Sequence, residues 1–91
     1  MPWYTCAVNE VGPATDGTET SAPVLYINLT DTGNPSTFSG QWFFAAEGGQ
    51  NPMLAVALAA MNGGKHVEVA ALSSAPSTAF IEIQRMYLLT S

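Results

Sequence analysis

Ninety-one residues make one domain, spanning 1–91, with room for only a small core, since domains usually hold about 100–150 residues. Apolar residues are 47% of the chain and charged residues only 10%, so little is left to build a charged skin, and extra buried surface is expected against a partner or copies of the same chain. The net charge of −5, with Lys65 and Arg85 as the only fixed cations, argues against nucleic acid, which needs several basic contacts to phosphate, and against anionic membranes.

In "WYTCAVNEV" (3–11), Tyr4, Cys6 and Val8 alternate with Thr5, Ala7 and Asn9, the pattern of a half-buried strand. Cys6 is the sole cysteine, so no intramolecular disulfide and no cysteine-based metal site can form. It reads as a small buried hydrophobe. Residues 1–20 lack the basic start and long apolar run of a signal peptide. "GPATDGTETSAP" (12–23) is a loop, rich in Gly, Pro, Thr and Asp.

"VLYINLT" (24–30) is the second expected strand, with Leu25, Ile27 and Leu29 on one face and Val24, Tyr26 and Asn28 on the other. Asn28-Leu29-Thr30 is a glycosylation sequon, relevant only in a eukaryotic secretory host. "DTGNPSTFSG" (31–40) turns the chain. Asp31 with Asn34 in this loop could touch calcium, although that ion wants six or more oxygens. "QWFFAAE" (41–47) is a third strand, dense in aromatics. Its three consecutive rings cannot all face a core. If Phe43 points inward, Trp42 and Phe44 point outward.

"EGGQNP" leads into a helix predicted over 52–62. Asn51 suits the N-cap, Pro52 the first helical position, and Gly63 and Gly64 the end. The paired glycines before a helix start could hold an anion, or simply make a tight turn. No position from Pro52 to Met61 is polar. Leu54, Leu58 and Met61 form the expected core stripe, with Ala57 beside it. The remaining surface carries methyl groups where Lys or Glu would be usual. A helix that is apolar all round is buried all round. Met53, Ala55, Val56, Ala59 and Ala60 are therefore the expected interface of a homo-oligomer; the alternative is an exposed Ala-rich face, tolerated because Ala favours helix.

"HVEVAAL" (66–72) alternates again, "SSAPST" turns, and "AFIEIQRMYLLTS" (79–91) is the last strand. Its alternation is clean at Ile81 and Ile83 and slips near Arg85, which predicts a β-bulge there. The order β-β-β-α-β-β predicts a mainly β fold, a five-stranded OB-fold barrel with one helix between strands three and four.

The segment "LAVALAAMNGGKHVEVAAL" resembles the helix–strand unit of the B subunits of bacterial A–B toxins, the Shiga-like and subtilase-cytotoxin group. The elements that carry the likeness are Leu54, Leu58, Gly64, Val67 and Val69. "IEIQRMYLL" is similar to the closing strand of small secreted homologues, and the shared element order covers nearly the whole chain. The resemblance implies an OB-fold protomer in a pentameric ring, with helices lining the pore. It also implies glycans on the outer strands and loops, a separate catalytic chain, and a secreted or periplasmic location in bacteria. Family members usually carry a cysteine pair and more polar pore helices; this chain has Cys6 alone. No sugar-contact residue of the family carries over to a position here.

No catalytic residues stand out. A Ser–His–acid arrangement would have to use His66, the only histidine, and no nucleophile elbow, P-loop, cofactor motif or histidine-rich metal spacing occurs. The expectation is a protein without enzymatic activity, cofactor or metal. The positive hint is aromatic. Tyr26 and Trp42, on outward faces near the Asp31–Asn34 loop, suit a saccharide, whose C–H faces stack on rings while hydroxyls meet polar groups. The alternative is that these rings lie in a subunit interface, in a structural or adaptor oligomer.

Overall fold

A computed structural model describes residues 2–14, 24–45 and 50–90. In chain order the elements are β1 (Trp3–Ala14), β2 (Val24–Asp31), β3 (Gln41–Ala45), α1 (Gln50–Gly63), β4 (Val67–Ala71) and β5 (Ile81–Leu88). The strands close into a barrel in the order β1-β2-β3-β5-β4, with β4 returning to β1. Every pairing is antiparallel except β3 with β5. This is the predicted OB-type barrel, with its helix between the third and fourth strands.

Strand periodicity builds the core. Leu25, Ile27 and Leu29 of β2, Phe43 of β3, Val67 and Val69 of β4, and Ile81 and Ile83 of β5 all point inward and are buried. Cys6 of β1 joins them with no exposed surface. Closing the sheet leaves each strand a partner on both sides, which removes the free edges of an open sheet.

Two bulges shift the alternation. In β5, Ala70 pairs with Arg85 but Ala71 pairs with Ile83, so the extra residue falls at Gln84, beside the expected position. In β1, Val8 pairs with Leu29 and Glu10 with Asn28, so Asn9 is extra. Simple alternation would turn Glu10 inward. The bulge sends it outward with Asn9 and brings Val11 opposite Ile27, against the core. β1 thereby continues as strand through Gly12–Ala14, where the sequence suggested a loop.

The helix starts at Gln50, so Asn51 and Pro52 fall in its first turn. It ends as expected. Gly64 has φ 63°, and the Lys65 N–H donates to the Ala60 carbonyl at 2.9 Å, the six-to-one bond of a Schellman cap.

The face α1 turns to the barrel differs from the predicted stripe. Met53, Ala57 and Ala60 are buried, with Leu54 and Val56 half-buried at the margins. Leu58 and Met61, expected inside, are 44% and 43% exposed. At 100° per residue the buried trio forms one narrow stripe. Close approach of α1 to the barrel favours small residues such as Ala57 and Ala60 over leucine. Met53 and Ala60 are thus part of the protomer's own core and do not belong to an outer interface. Ala55 and Ala59 do face outward.

The end of the predicted third strand (46–47), most of the 12–23 loop and the Gly48–Gly49 turn proposed for an anion lie outside the described residues.

Candidate functional site

The outer face of β2 and β3 is built by cross-strand pairing. Tyr26 stands opposite Phe44, and Asn28 opposite Trp42. Phe43 is fully buried while Trp42 is 37% exposed, so the three consecutive rings divide as the sequence predicts. Phe44 is half-buried beside Glu82 of β5.

A third ring completes the face. Phe80, just before β5, packs its centroid 4.9 Å from Tyr26 and 6.1 Å from Trp42. The three rings thus come from β2, β3 and the β4–β5 loop. Phe80 was legible in principle: with Ile81 and Ile83 inward, period two turns Phe80 and Glu82 outward. The sequence reading places it in the last strand (79–91) and gives it no site role.

The loop is held in place by two side chains. Gln41 is buried, accepts the Ser77 N–H at 2.8 Å and donates to the carbonyls of Ala79 (3.2 Å) and Trp42 (3.0 Å). The Tyr4 hydroxyl accepts the Ala75 N–H at 3.0 Å. These bonds fix the loop to β3 and β1 and so set Phe80 against Trp42.

Two concavities meet at Trp42 and Phe80. One, of about 310 Å³, is bordered by Glu10, Val11, Gly12, Tyr26, Trp42 and Phe80. The other, of about 420 Å³, adds the hydroxyl-bearing Thr37, Ser39, Ser77 and Thr78. Next to Trp42 lies an ordered amide network. The Asn9 side-chain amide donates to Asn28 Oδ1 and Thr30 Oγ1, both at 2.8 Å, and Asn28 donates to the Gly40 carbonyl at 3.0 Å. Gly40 has φ 72°, a conformation that favours glycine, and so presents that carbonyl.

Asp31 and Asn34 border neither groove. Asp31 is buried at the end of β2, and its carboxylate accepts the N–H groups of Gly33 (2.9 Å) and Thr37 (2.7 Å). Hydrogen bonding from the Thr37 side chain, with the Gly33 and Thr37 backbone bonds, holds its carboxyl below the usual value against the opposing effect of burial. Asp31 organises its own loop. Asn34 is exposed there. Among the described residues no group of three or more His, Cys, Asp or Glu is placed to hold a metal ion.

Cys6 pairs with Asp31 across β1 and β2. Burial, and secondarily the Asp31 charge, push its thiol up to about 12. It is therefore protonated at neutral pH and unsuited to nucleophilic attack.

A second exposed aromatic pair, unforeseen from sequence, lies on the outer side of β1, β4 and β5. Trp3 and Tyr87 stack with centroids 6.1 Å apart and are 46% and 48% exposed. No helix among the described residues is long and apolar enough to cross a membrane.

No protein-family model, curated protein or solved structure matches the chain.

Proposed function

We propose that the protein is a non-catalytic OB-type module that binds a saccharide on the outer face of β2 and β3. The observation that carries this reading is the cluster of Tyr26, Trp42 and Phe80, whose rings border two joined grooves next to hydroxyl and amide groups. Pyranose rings offer C–H faces to aromatics and hydroxyls to such polar groups. The strand 2–3 face and the β4–β5 loop are also where OB barrels take up oligosaccharides and oligonucleotides. Oligonucleotides fit poorly, because neither Lys65 nor Arg85 borders the grooves. Asp31, Asn34 and Cys6 have no part in the proposed site.

Self-association belongs to the same proposal. The outward side of α1 presents Leu58, Met61, Ala55 and Ala59. Burying such a face against copies of the chain contributes roughly 25 cal/mol per Å² and offsets the cost of association. The likeness to toxin B subunits supports a ring, five-membered by analogy, with service as the carrier of a separate catalytic chain as the corollary. A purely structural oligomer is the second reading. The exposed Trp3–Tyr87 pair favours it, since aromatics are enriched in interfaces.

The test separates the two. On a glycan array, followed by titration calorimetry of any hit, Trp42→Ala should abolish binding and leave the mass of the assembly unchanged. If the assembly dissociates instead, Trp42 is an interface residue and the structural reading stands.

A further inference from the structure

Three features of the smaller groove go beyond a generic sugar site. The first is Glu10. It borders the groove with Tyr26, Trp42 and Phe80 and is exposed, so its carboxylate faces water at the rim. The second is the bulge at Asn9, which alone turns Glu10 to this side of β1. The third is the sign of the surrounding charge. Glu82, opposite Phe44, adds a second carboxylate to the same outer face, where it accepts a hydrogen bond from Gln84. The two cations lie elsewhere. Arg85 pairs with Ala70 on the β4 side, and the Lys65 ammonium donates to the Thr90 carbonyl at 2.8 Å. Neither cation borders the groove.

We infer that the groove selects a cationic saccharide, one whose amino group is free and protonated. This rests on the saccharide reading above and narrows it to a ligand class. The pyranose would stack on Trp42 and Phe80 through its C–H face. Its ammonium would sit at the rim between Glu10 and the negative ring faces. An ammonium near a ring face gains cation–π attraction, and a carboxylate opposite it adds Coulomb attraction. Both are modest at an exposed site, so the preference over the N-acetylated sugar should be about five- to tenfold. Anionic sugars should bind worst, because the same carboxylates repel them.

The experiment titrates the intact chain with glucosamine oligosaccharides and, in parallel, with N-acetylglucosamine oligosaccharides of matched length. Choline serves as an ammonium without a sugar. The expected result is tighter binding of the amino form by about five- to tenfold, an advantage that shrinks as salt is raised. Glu10→Gln should bring the two forms to equal affinity. Glu68→Gln, which removes the same charge from β4, should leave the preference intact.

Equal binding of both sugars by the unaltered protein overturns the charge preference and leaves the saccharide reading standing. Binding of neither overturns both. Choline binding as tightly as the amino sugar overturns the inference, because the sugar ring would then contribute nothing. A loss of preference in Glu68→Gln as large as in Glu10→Gln also overturns it, because net charge rather than the rim carboxylate would be responsible.

Discussion

Asp31 looks from the sequence like a loop ligand, and in the fold its carboxylate is engaged by the turn that follows. Its carboxylate accepts two backbone N–H groups of the turn that follows, and it is only 7% exposed. Asp31→Ala should lower stability at neutral pH by about 1–3 kcal/mol, the usual cost of leaving buried partners unmade. The pH dependence has a definite sign. Because the folded-state value lies below the ordinary carboxyl value of 3.8, the stabilisation is present above that pH and is lost as pH falls through the folded value. Denaturant melts of parent and Asp31→Ala should therefore converge in acid; a constant gap down to low pH would contradict the clamp. Cys6 gives the opposite limb. Its value rises from 9.0 to about 12, so stability present below pH 9.0 declines as pH climbs from 9.0 toward 12, because the unfolded chain loses its proton first. In Cys6→Ala this alkaline decline should be shallower than in the parent, whatever the cavity costs at neutral pH. Identical slopes would place the alkaline effect on other groups.

At the scale of the element, α1 separates two roles that the sequence merged. Its apolar residues surround the axis; Met53, Ala57 and Ala60 are buried against the barrel, and Leu54 and Val56 flank them. Ala57→Glu should prevent stable folding, because it buries an unpaired charge. Leu58→Glu and Ala59→Glu lie on the outward side and should change the stability of a protomer by no more than about 0.5 kcal/mol. If copies of α1 meet about an axis, each of these two changes should dissociate the assembly, since like carboxylates would crowd a dry interface. Light scattering after size exclusion reads the outcome directly. A mass near 9.6 kDa for the unaltered chain at micromolar concentration would remove the assembly altogether. An intact oligomer in both variants would move the interface to another surface, for which Trp3 and Tyr87 are the natural candidates.

At the scale of the molecule, barrel closure brings together what the chain keeps apart. Tyr26, Trp42 and Phe80 lie far apart in the chain, yet one groove holds all three. Gln41 connects the same regions from within, reaching Ser77 and Ala79 of the β4–β5 loop. The proposed site is therefore a property of the closed fold, and Trp42→Ala tests it there. Its supports are part-buried hydrogen bonds, which cost more to break than fully exposed contacts.

Period-two alternation determined which residues of β2, β3 and β4 fill the barrel, because burial of one sheet face admits no other register. The run of apolar residues bounded by Pro52 and Gly64 determined the helix, and the slip near Arg85 located one bulge. Outward exposure of Trp42 followed from three adjacent rings on one strand. Other features needed the tertiary structure. The bulge at Asn9 leaves no mark in composition, since it depends on how β1 registers against β2, and it decides that Glu10 faces the groove. The helix face depended on the shape of the barrel end, where close approach favours Ala57 and Ala60 over the larger Leu58. Phe80 joined Tyr26 and Trp42 only because closure lays the β4–β5 loop beside β3, a contact between distant segments that local pattern cannot encode.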